Sequence, residues 1–567
     1  MTASASDDHS TMSHPESKNV ESATDLQPAS QTPSSSLFSR LRLVSLLTLA
    51  SRLLGLVRDM AMAALFGNGM ILDAFTVAFR IPNMARRLFG EGALTAAFLP
   101  AFVRELETEG QSSAWRLASA VLTVLAMTLC GLVLIGELLL WAVSYWVETG
   151  PEAELLIGLT AVMLPYLVFI CIAALLSAML QAMNHFAWPA LLPVLMNVVW
   201  LIGIGTAYAW QDSPAARIHT IAWFIIVAGG VQLVALSPVV RRFGFRFAFD
   251  WPSTRSKVNA IGRGMLPILI GLSVTQFNTL ADSFIAWGLA EPDTALESAG
   301  IGETLQGWSL AAGTASTLYF GQRLYQFPLG VCGVALGTVL FPRFSQHAEQ
   351  GRHDRLRGDL LLGLQLVIAI GIPASVGLVL LAEPLTTLLF QYGEFDAGDT
   401  SRTAEMIAAY GIGVWAYCGL LIVHRAYYAV GDRITPLRIG LAAVVINLGL
   451  NFALIQPFGG RGLALATSFT AMLQVIAVVA MLQGRMGRLD WRSLLSSVLR
   501  VGVASVLMAA TCLATLSFFD GELGLGNRLM RVAGPVIASL VVYSFAARLL
   551  GIREFSVLIR GDEDQSK

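Results

Sequence analysis

Several charged side chains of this chain stand inside runs that are otherwise apolar, and their types restrict what they can do. The run SRLLGLVRDMAMAALFG holds Arg52, Arg58 and Asp59. Arg52 and Asp59 share a helix face, about 10 Å apart along the axis. Arg58 projects elsewhere on the cylinder, so a purely structural Arg58–Asp59 pair is not expected. Snorkelling toward the nearer membrane surface is the alternative for Arg52. The run DAFTVAFRIPNMARRLFGEGALTAAFLP adds Asp73, Arg80, Arg86, Arg87 and Glu91. Its Pro82, Gly90 and Gly92 should bend or break the helix. Backbone groups freed by a break are tolerated only beside a polar cavity or other protein. A third run, GQRLYQFPLGVCGVALGTVLFP, carries Arg323 just before Pro328. An ionised group at membrane depth costs about 2.5–3.5 kcal/mol on insertion scales, so its default reading is functional. Guanidinium groups bind phosphate oxygens in pairs, and a converging set suits a phosphate or diphosphate. The same set repels a cationic drug. For Arg86 and Arg87, pairing with Glu91 or a place near an interface is the alternative.

A second group is rich in oxygen. Asp282 is the one acid in TQFNTLADSFIAWG, Asn447 and Asn451 lie one helical turn apart in VVINLGLNFAL, and Thr467 follows. Such ligands could hold Na⁺, or Asp282 could take a proton; polar glue between helices is the other reading. Glu137 and Arg425 are isolated charges without an assignment. There is no HExxH, no GxxxxGK[ST] phosphate loop and no evident catalytic cluster, so no metal beyond Na⁺ and no ATP hydrolysis is expected. The five cysteines are scattered, without a CxxC.

The elements that must position these residues follow from composition. Of 567 residues, 55% are hydrophobic and 13% charged. Soluble domains carry about 25% charged residues, so a cytosolic enzyme is excluded in favour of an all-α polytopic membrane protein. Residues 1–36 are polar and read as a disordered cytoplasmic tail. About fourteen spans follow: 41–66, 72–103, 115–147, 152–183, 188–210, 217–240, 260–289, 306–342, 359–382, 402–430, 434–456, 461–483, 494–518 and 529–551. Even-numbered loops collect arginine, as at Arg241, Arg242 and Arg246, or Arg352, Arg355 and Arg357; odd-numbered loops are acidic or nearly neutral. The positive-inside rule then places both termini in the cytoplasm. The chain also repeats: ALTAAFLPAF (93–102) matches ALGTVLFPRF (335–344), and Ala182 with Pro189 matches Ala429 with Pro436. Two six-helix lobes of like orientation, 37–243 and 244–486, are expected as parallel repeats. Helices 13 and 14 (487–553) and a cytoplasmic tail (554–567) are added. Parallel repeats are common in transporters that rock two halves about a central site.

SRLLGLVRD, the second run above through AFLPAF, and RLYQFPLGVCGVALGTVLFP together resemble the MurJ/MviN family over about residues 37–553. That family lies in the superfamily of multidrug and polysaccharide exporters. The resemblance implies a lipid II flippase of peptidoglycan synthesis in the inner membrane of a bacterium, with helices 13 and 14 forming a lipid-tail groove. It implies that Arg52, Arg58, Arg86, Arg87, Arg323, Asn83 and Ser316 bind the diphosphate head group. Asp59, Asp73 and Glu91 would form a gating or polar network, and Asp282, Asn447, Asn451 and Thr467 a possible ion site. Gln322 and Gln326 stand where the family often has acids, and Asn451 where a sodium-binding member has a carboxylate.

The function expected is alternating access without covalent chemistry and without a cofactor, biased by Na⁺, H⁺ or the membrane potential. Lipid II, bilayer lipids and cell-wall synthesis proteins are the expected partners of a monomer, and nucleic acid is not. Two alternatives share the fold: a flippase for another polyprenyl-diphosphate-linked glycan, and a drug exporter. A membrane-embedded wall enzyme, which would need a catalytic site, or a non-transporting scaffold would be of another class.

Overall fold

Apolar runs of this length satisfy every backbone polar group internally as helices, and helices are what the chain forms. A computed structural model describes residues 33–291, 308–519 and 524–552. The tails expected at 1–36 and 554–567 and the 290–305 loop lie largely outside these residues. The first helix already begins at Pro33. Spans 1, 3, 5, 6 and 7 are the helices Pro33–Phe66, Gln111–Trp146, Ala187–Trp210, Pro214–Arg242 and Trp251–Gly288. Spans 9 and 11 to 14 are His353–Leu380, Ile434–Phe458, Arg461–Met486, Trp491–Ser517 and Leu525–Leu549. Span 4 is broken between Met163 and Tyr166, and span 10 between Gly411 and Val414, where it bends by 41°.

Spans 2 and 8 are interrupted differently. In span 2 a π-helical stretch, Arg86–Ala93, separates Met70–Ala85 from Leu94–Thr108. In span 8, Leu329–Val334 does the same between Thr314–Pro328 and Ala335–Glu349. The π turns hold Gly90 and Gly92 in span 2 and Gly330 and Gly333 in span 8, residues that loosen a helix, and Pro328 stands immediately before the second. Among the described residues, nine helices are long and apolar enough to cross a membrane, or eleven with each bent pair counted once. The three spans that do not qualify even as bent pairs are 1, 2 and 8: span 1 holds Arg52, Arg58 and Asp59 close together, and spans 2 and 8 are cut by their π turns.

The backbone punctuation repeats along with the sequence. The π turns of spans 2 and 8 both end one residue before the matching Leu94 and Ala335 helices. Gly110 and Gly351 take positive φ at matching places, as do Gly244 and Gly487. Asn184, at φ 59°, occupies the place of Gly431, at φ 76°. A left-handed residue there is needed to end the helix, and asparagine tolerates that conformation better than other side chains. One hydrophobic core joins spans 1 to 6 to the first half of span 8, a second joins spans 8, 9, 10 and 12, and a third seats spans 13 and 14 on span 9. Outside these cores Leu, Val, Ile and Phe side chains remain exposed along the helices, as lipid contact requires. Tyr145, Trp146, Tyr208 and Trp210 stand exposed where spans 3 and 5 reach the odd-numbered loops, the place of an interfacial aromatic belt.

Spans 9 and 10 approach closely at Gly371, where an added Cβ would lie 2.9 Å from Trp415 Cα. Gly371→Val should therefore push the helices apart, at a cost of about 1–3 kcal/mol. A lowered melting temperature of the purified protein checks this, and an unchanged one contradicts the packing.

Candidate functional site

The centre of the molecule is a charge network shared by spans 1, 5 and 8. Arg58 and Asp59 are each about 5% exposed. Arg58 Nη2 donates to Asp59 Oδ1 at 2.6 Å, and its Nη1 donates to Asn197 Oδ1 at 3.0 Å. The Arg58 guanidinium lies 4.2 Å from the Trp200 ring centroid, and Phe79 meets the same indole edge-on at 4.9 Å. From span 8, Arg323 Nε stands 3.1 Å from Asp59 Oδ2. Tyr319 completes the ring: its hydroxyl donates to Asp59 at 3.2 Å and accepts from Arg323 Nη2 at 2.8 Å. One carboxylate thus faces two guanidiniums from opposite halves, and the group keeps a surplus positive charge beside aromatic walls that strengthen electrostatic forces.

This corrects the expectation that Arg58 and Asp59 would diverge. Their Cβ atoms do diverge, but the arginine side chain is long enough to turn back around the helix and reach the neighbouring carboxylate. Trp200 and Asn197 on span 5 hold it in that position.

Beside this network, Arg80 Nη1 donates to Gln322 Oε1 at 3.0 Å. These residues are 242 apart, the offset of the repeat, so they are equivalents touching each other on the pseudo-two-fold axis. Gln322 passes the contact on to the Tyr410 hydroxyl at 3.1 Å. Arg80 Nε and Nη2 are buried without a hydrogen-bond partner.

Arg86 sits in the π turn of span 2 and donates from Nε and Nη2 to Asn83 Oδ1, at 3.2 and 3.1 Å. Arg87 is half-buried in the same turn. The Glu91 side chain lies outside the described residues. Arg52 is exposed on span 1, with its Nη1 3.1 Å from where a Cβ on Gly330 would lie, against the π turn of span 8.

Toward the odd-numbered loops the two halves interlock. Asp73 is fully buried and accepts from Gly313 N at 2.9 Å and Ser316 N at 2.6 Å, so span 2 caps the N-terminus of span 8. Ser316, expected at the head group, is instead fully buried, with Oγ donating to Gly313 O. Its hydroxyl serves the helix start in this conformation, because the cap has drawn that turn into the packed region. Asn68 N donates to Asp399 Oδ2 and its Nδ2 to Thr403 Oγ1, both at 2.9 Å. Arg402 joins Asp399 at 2.7 Å and donates to Ala312 O at 2.9 Å. Gly393, at φ 59°, presses on Ala64, whose carbonyl would lie 2.2 Å from an added Cβ. At the other, arginine-rich end the second half of span 8 packs on spans 9 and 10, while span 7 packs on spans 2 and 3. The cleft between the halves is therefore sealed at the odd-loop end.

The oxygen-rich group is brought together. Asp282, Asn447 and Asn451 are at most 1% exposed. Asn451 Nδ2 donates to Asp282 Oδ1 at 2.7 Å and Thr467 Oγ1 to Asp282 Oδ2 at 3.2 Å. With its amide turned so that nitrogen faces the acceptors around it, Asn447 donates to Asp282 Oδ1 at 3.2 Å and to Asn278 Oδ1 at 2.8 Å. Asn451 Oδ1 is buried without a partner. Among the described residues no group of three or more His, Cys, Asp or Glu could hold a metal ion.

Fold and site define a polytopic helical transporter whose two halves meet at a cationic centre. Residues 62–534 match the family model described as lipid II flippase MurJ. A probable lipid II flippase MurJ of Vibrio cholerae is 32% identical, over 90% of this chain and 95% of its own. That of Rhizobium tropici is 30% identical, over 89% and 92%. A solved lipid II flippase MurJ in an inward closed conformation superposes with a TM-score of 0.71 at 21% identity, covering 90% of this chain and 99% of its own. An inward-facing multidrug resistance MATE family transporter gives 0.61 at 13%, covering 77% and 94%. The chain belongs to the lipid II flippase MurJ family.

Sequence reasoning did not name Tyr319, Trp200, Asn197 or the Asn68–Asp399 contact as site residues. Only the Arg80–Gln322 pair had a usable signal, the repeat offset. Asp73→Asn should lose one of the two caps on span 8 and set an amide N–H against a backbone N–H, costing about 1–3 kcal/mol. The expected result is a lower melting temperature and greater labelling of a cysteine placed at Asn68. Unchanged labelling would show that the cap does not hold the seal.

Proposed function

We propose that this protein moves lipid II, the undecaprenyl-diphosphate-linked muropeptide, from the cytoplasmic to the outer leaflet of a bacterial inner membrane. The observation that carries the reading is Asp59 held between Arg58 and Arg323 of opposite halves, in a chain of the MurJ family. The positive-inside rule puts the arginine-rich end and both termini in the cytoplasm. The sealed odd-loop end then faces outward, and the head group enters from inside.

A diphosphate is a stronger partner for paired guanidiniums than one carboxylate, because each can take two charge-assisted hydrogen bonds. Its arrival draws Arg58 and Arg323 from Asp59, with Arg86 and Arg52 adding contacts as the head group enters. Releasing Asp59 loosens the bridge between span 1 and span 8, and the lobes can exchange the outer seal for an inner one. The prenyl tail stays in lipid along spans 13 and 14. The cycle makes and breaks no covalent bond.

A gradient drives the exchange. Na⁺ would be held by Asp282, Asn447, Asn451 and Thr467, whose oxygens suit a hard cation. The unpartnered Asn451 Oδ1 fits that role, and the two amides must turn their oxygens inward to fill it. Asp282→Asn is expected to remove any sodium dependence of transport while leaving the protein in the membrane. Sodium dependence that survives this change would place the coupling elsewhere.

Depletion of the protein in its host should lower the lipid II that an externally added cleaving enzyme can reach. Wild type should restore exposure, and Arg58→Ala or Arg323→Ala at equal membrane levels should not. Unchanged exposure on depletion, in a host without another flippase, would overturn the assignment.

A further inference from the structure

We propose that Arg425 is an anion-capture residue toward the arginine-rich end, the outermost of three guanidiniums set along span 8 to meet an entering diphosphate. This rests on the lipid II reading above.

Arg425 lies on the second half of span 10, Val414–Ala429, in an otherwise apolar segment. Its guanidinium is laid across the backbone of span 8 at Gly337. A Cβ there would stand 2.7 Å from Arg425 Nη1 and 2.9 Å from Nε, so only glycine leaves this seat open. Nη1 donates to Thr338 Oγ1 at 3.2 Å. Among the described residues no carboxylate stands within ion-pair distance of it, whereas Arg58 and Arg323 both have Asp59. A cation without a counter-ion at this depth is costly in lipid but acceptable where a wet cleft reaches it. This half of span 8 is held by spans 9 and 10, the Arg425–Thr338 contact lies at the protein surface with Val334 and Val339 beside it 45% and 68% exposed, and we assign that surface to the head-group path. Thr338, which receives the hydrogen bond, is itself exposed.

The placement along span 8 is regular. Arg323 is part of that span, the Arg52 guanidinium lies against Gly330, and that of Arg425 lies against Gly337. These positions are seven residues apart, about 10 Å each along a helix. Three guanidiniums from spans 8, 1 and 10 thus form a descending series on one helix. Steps of this size let a diphosphate leave one cation while already within the field of the next, since screening acts over about 8–10 Å.

The test compares Arg425→Gln, Arg425→Lys and Thr338→Val with wild type in lipid nanodiscs. Binding of lipid II, undecaprenyl diphosphate and uncharged undecaprenol is measured, with melting temperature as a folding control. Arg425→Gln should weaken both diphosphate lipids on the order of tenfold. It should leave undecaprenol unchanged, Arg425→Lys should recover most of the loss, and Thr338→Val should bind as wild type. In cells Arg425→Gln should raise the precursor level needed for half-maximal exposure while keeping the maximal rate. Wild-type binding by Arg425→Gln would overturn the proposal. So would equal losses in Arg425→Gln and Thr338→Val with lowered melting temperatures, which would mark a helix joint. Failure of the wild type to bind either diphosphate lipid would instead overturn the lipid II reading.

Discussion

Everything near the middle of this molecule depends on a carboxylate that has two claimants. Asp59 neutralises either Arg58 or Arg323, but not both; Arg58 is buried against Trp200, while Arg323 is 36% exposed. Removing one partner of a buried pair leaves an uncompensated charge, which is why such groups are either satisfied or put to use. Here the satisfaction is divided between two halves of the chain. The same contact therefore ties one arrangement of the halves together and leaves one guanidinium short of a counter-ion.

The seal at the odd-loop end is of another kind. It is made by close approach of backbone around Gly67, Gly393 and Gly313, with Asp73 and Asp399 each receiving backbone N–H groups from another segment and Arg402 paired with Asp399. Such contacts are short-ranged, and separation by a few ångströms loses them all together. A long-range electrostatic centre and a short-range seal respond differently to the same rigid motion, which favours two discrete arrangements over a continuous slide.

What could be read in the sequence was what composition and local spacing control. The apolar runs, the arginine-rich loops, the breaks in spans 2 and 8 and the shared helix face of Asn447 and Asn451 are properties of single segments. The repeat was visible because Ala93–Phe102 and Ala335–Phe344 still match. Contacts requiring two segments at a known angle were not visible. Asn68 and Asp399 are 331 residues apart, and nothing in either segment points to the other. The Arg58–Asp59 contact was misjudged because Cβ direction governs short side chains but not a guanidinium on a flexible stem. Tyr319 and Trp200 looked like ordinary core aromatics, and only their rings' placement over arginines separates them from the rest.

The contact of Arg80 with Gln322 also bears on how such a molecule could have arisen. In a dimer of identical subunits, a residue on the symmetry axis must face its own copy. Arginine there would meet arginine, and glutamine would leave the cleft without that charge. Joining the two ancestral halves in one polypeptide removes this restriction. Each side of the axis can then mutate alone, and the pair can become one donor and one acceptor. A single chain can thus hold on its axis a chemical asymmetry that no homodimer could encode.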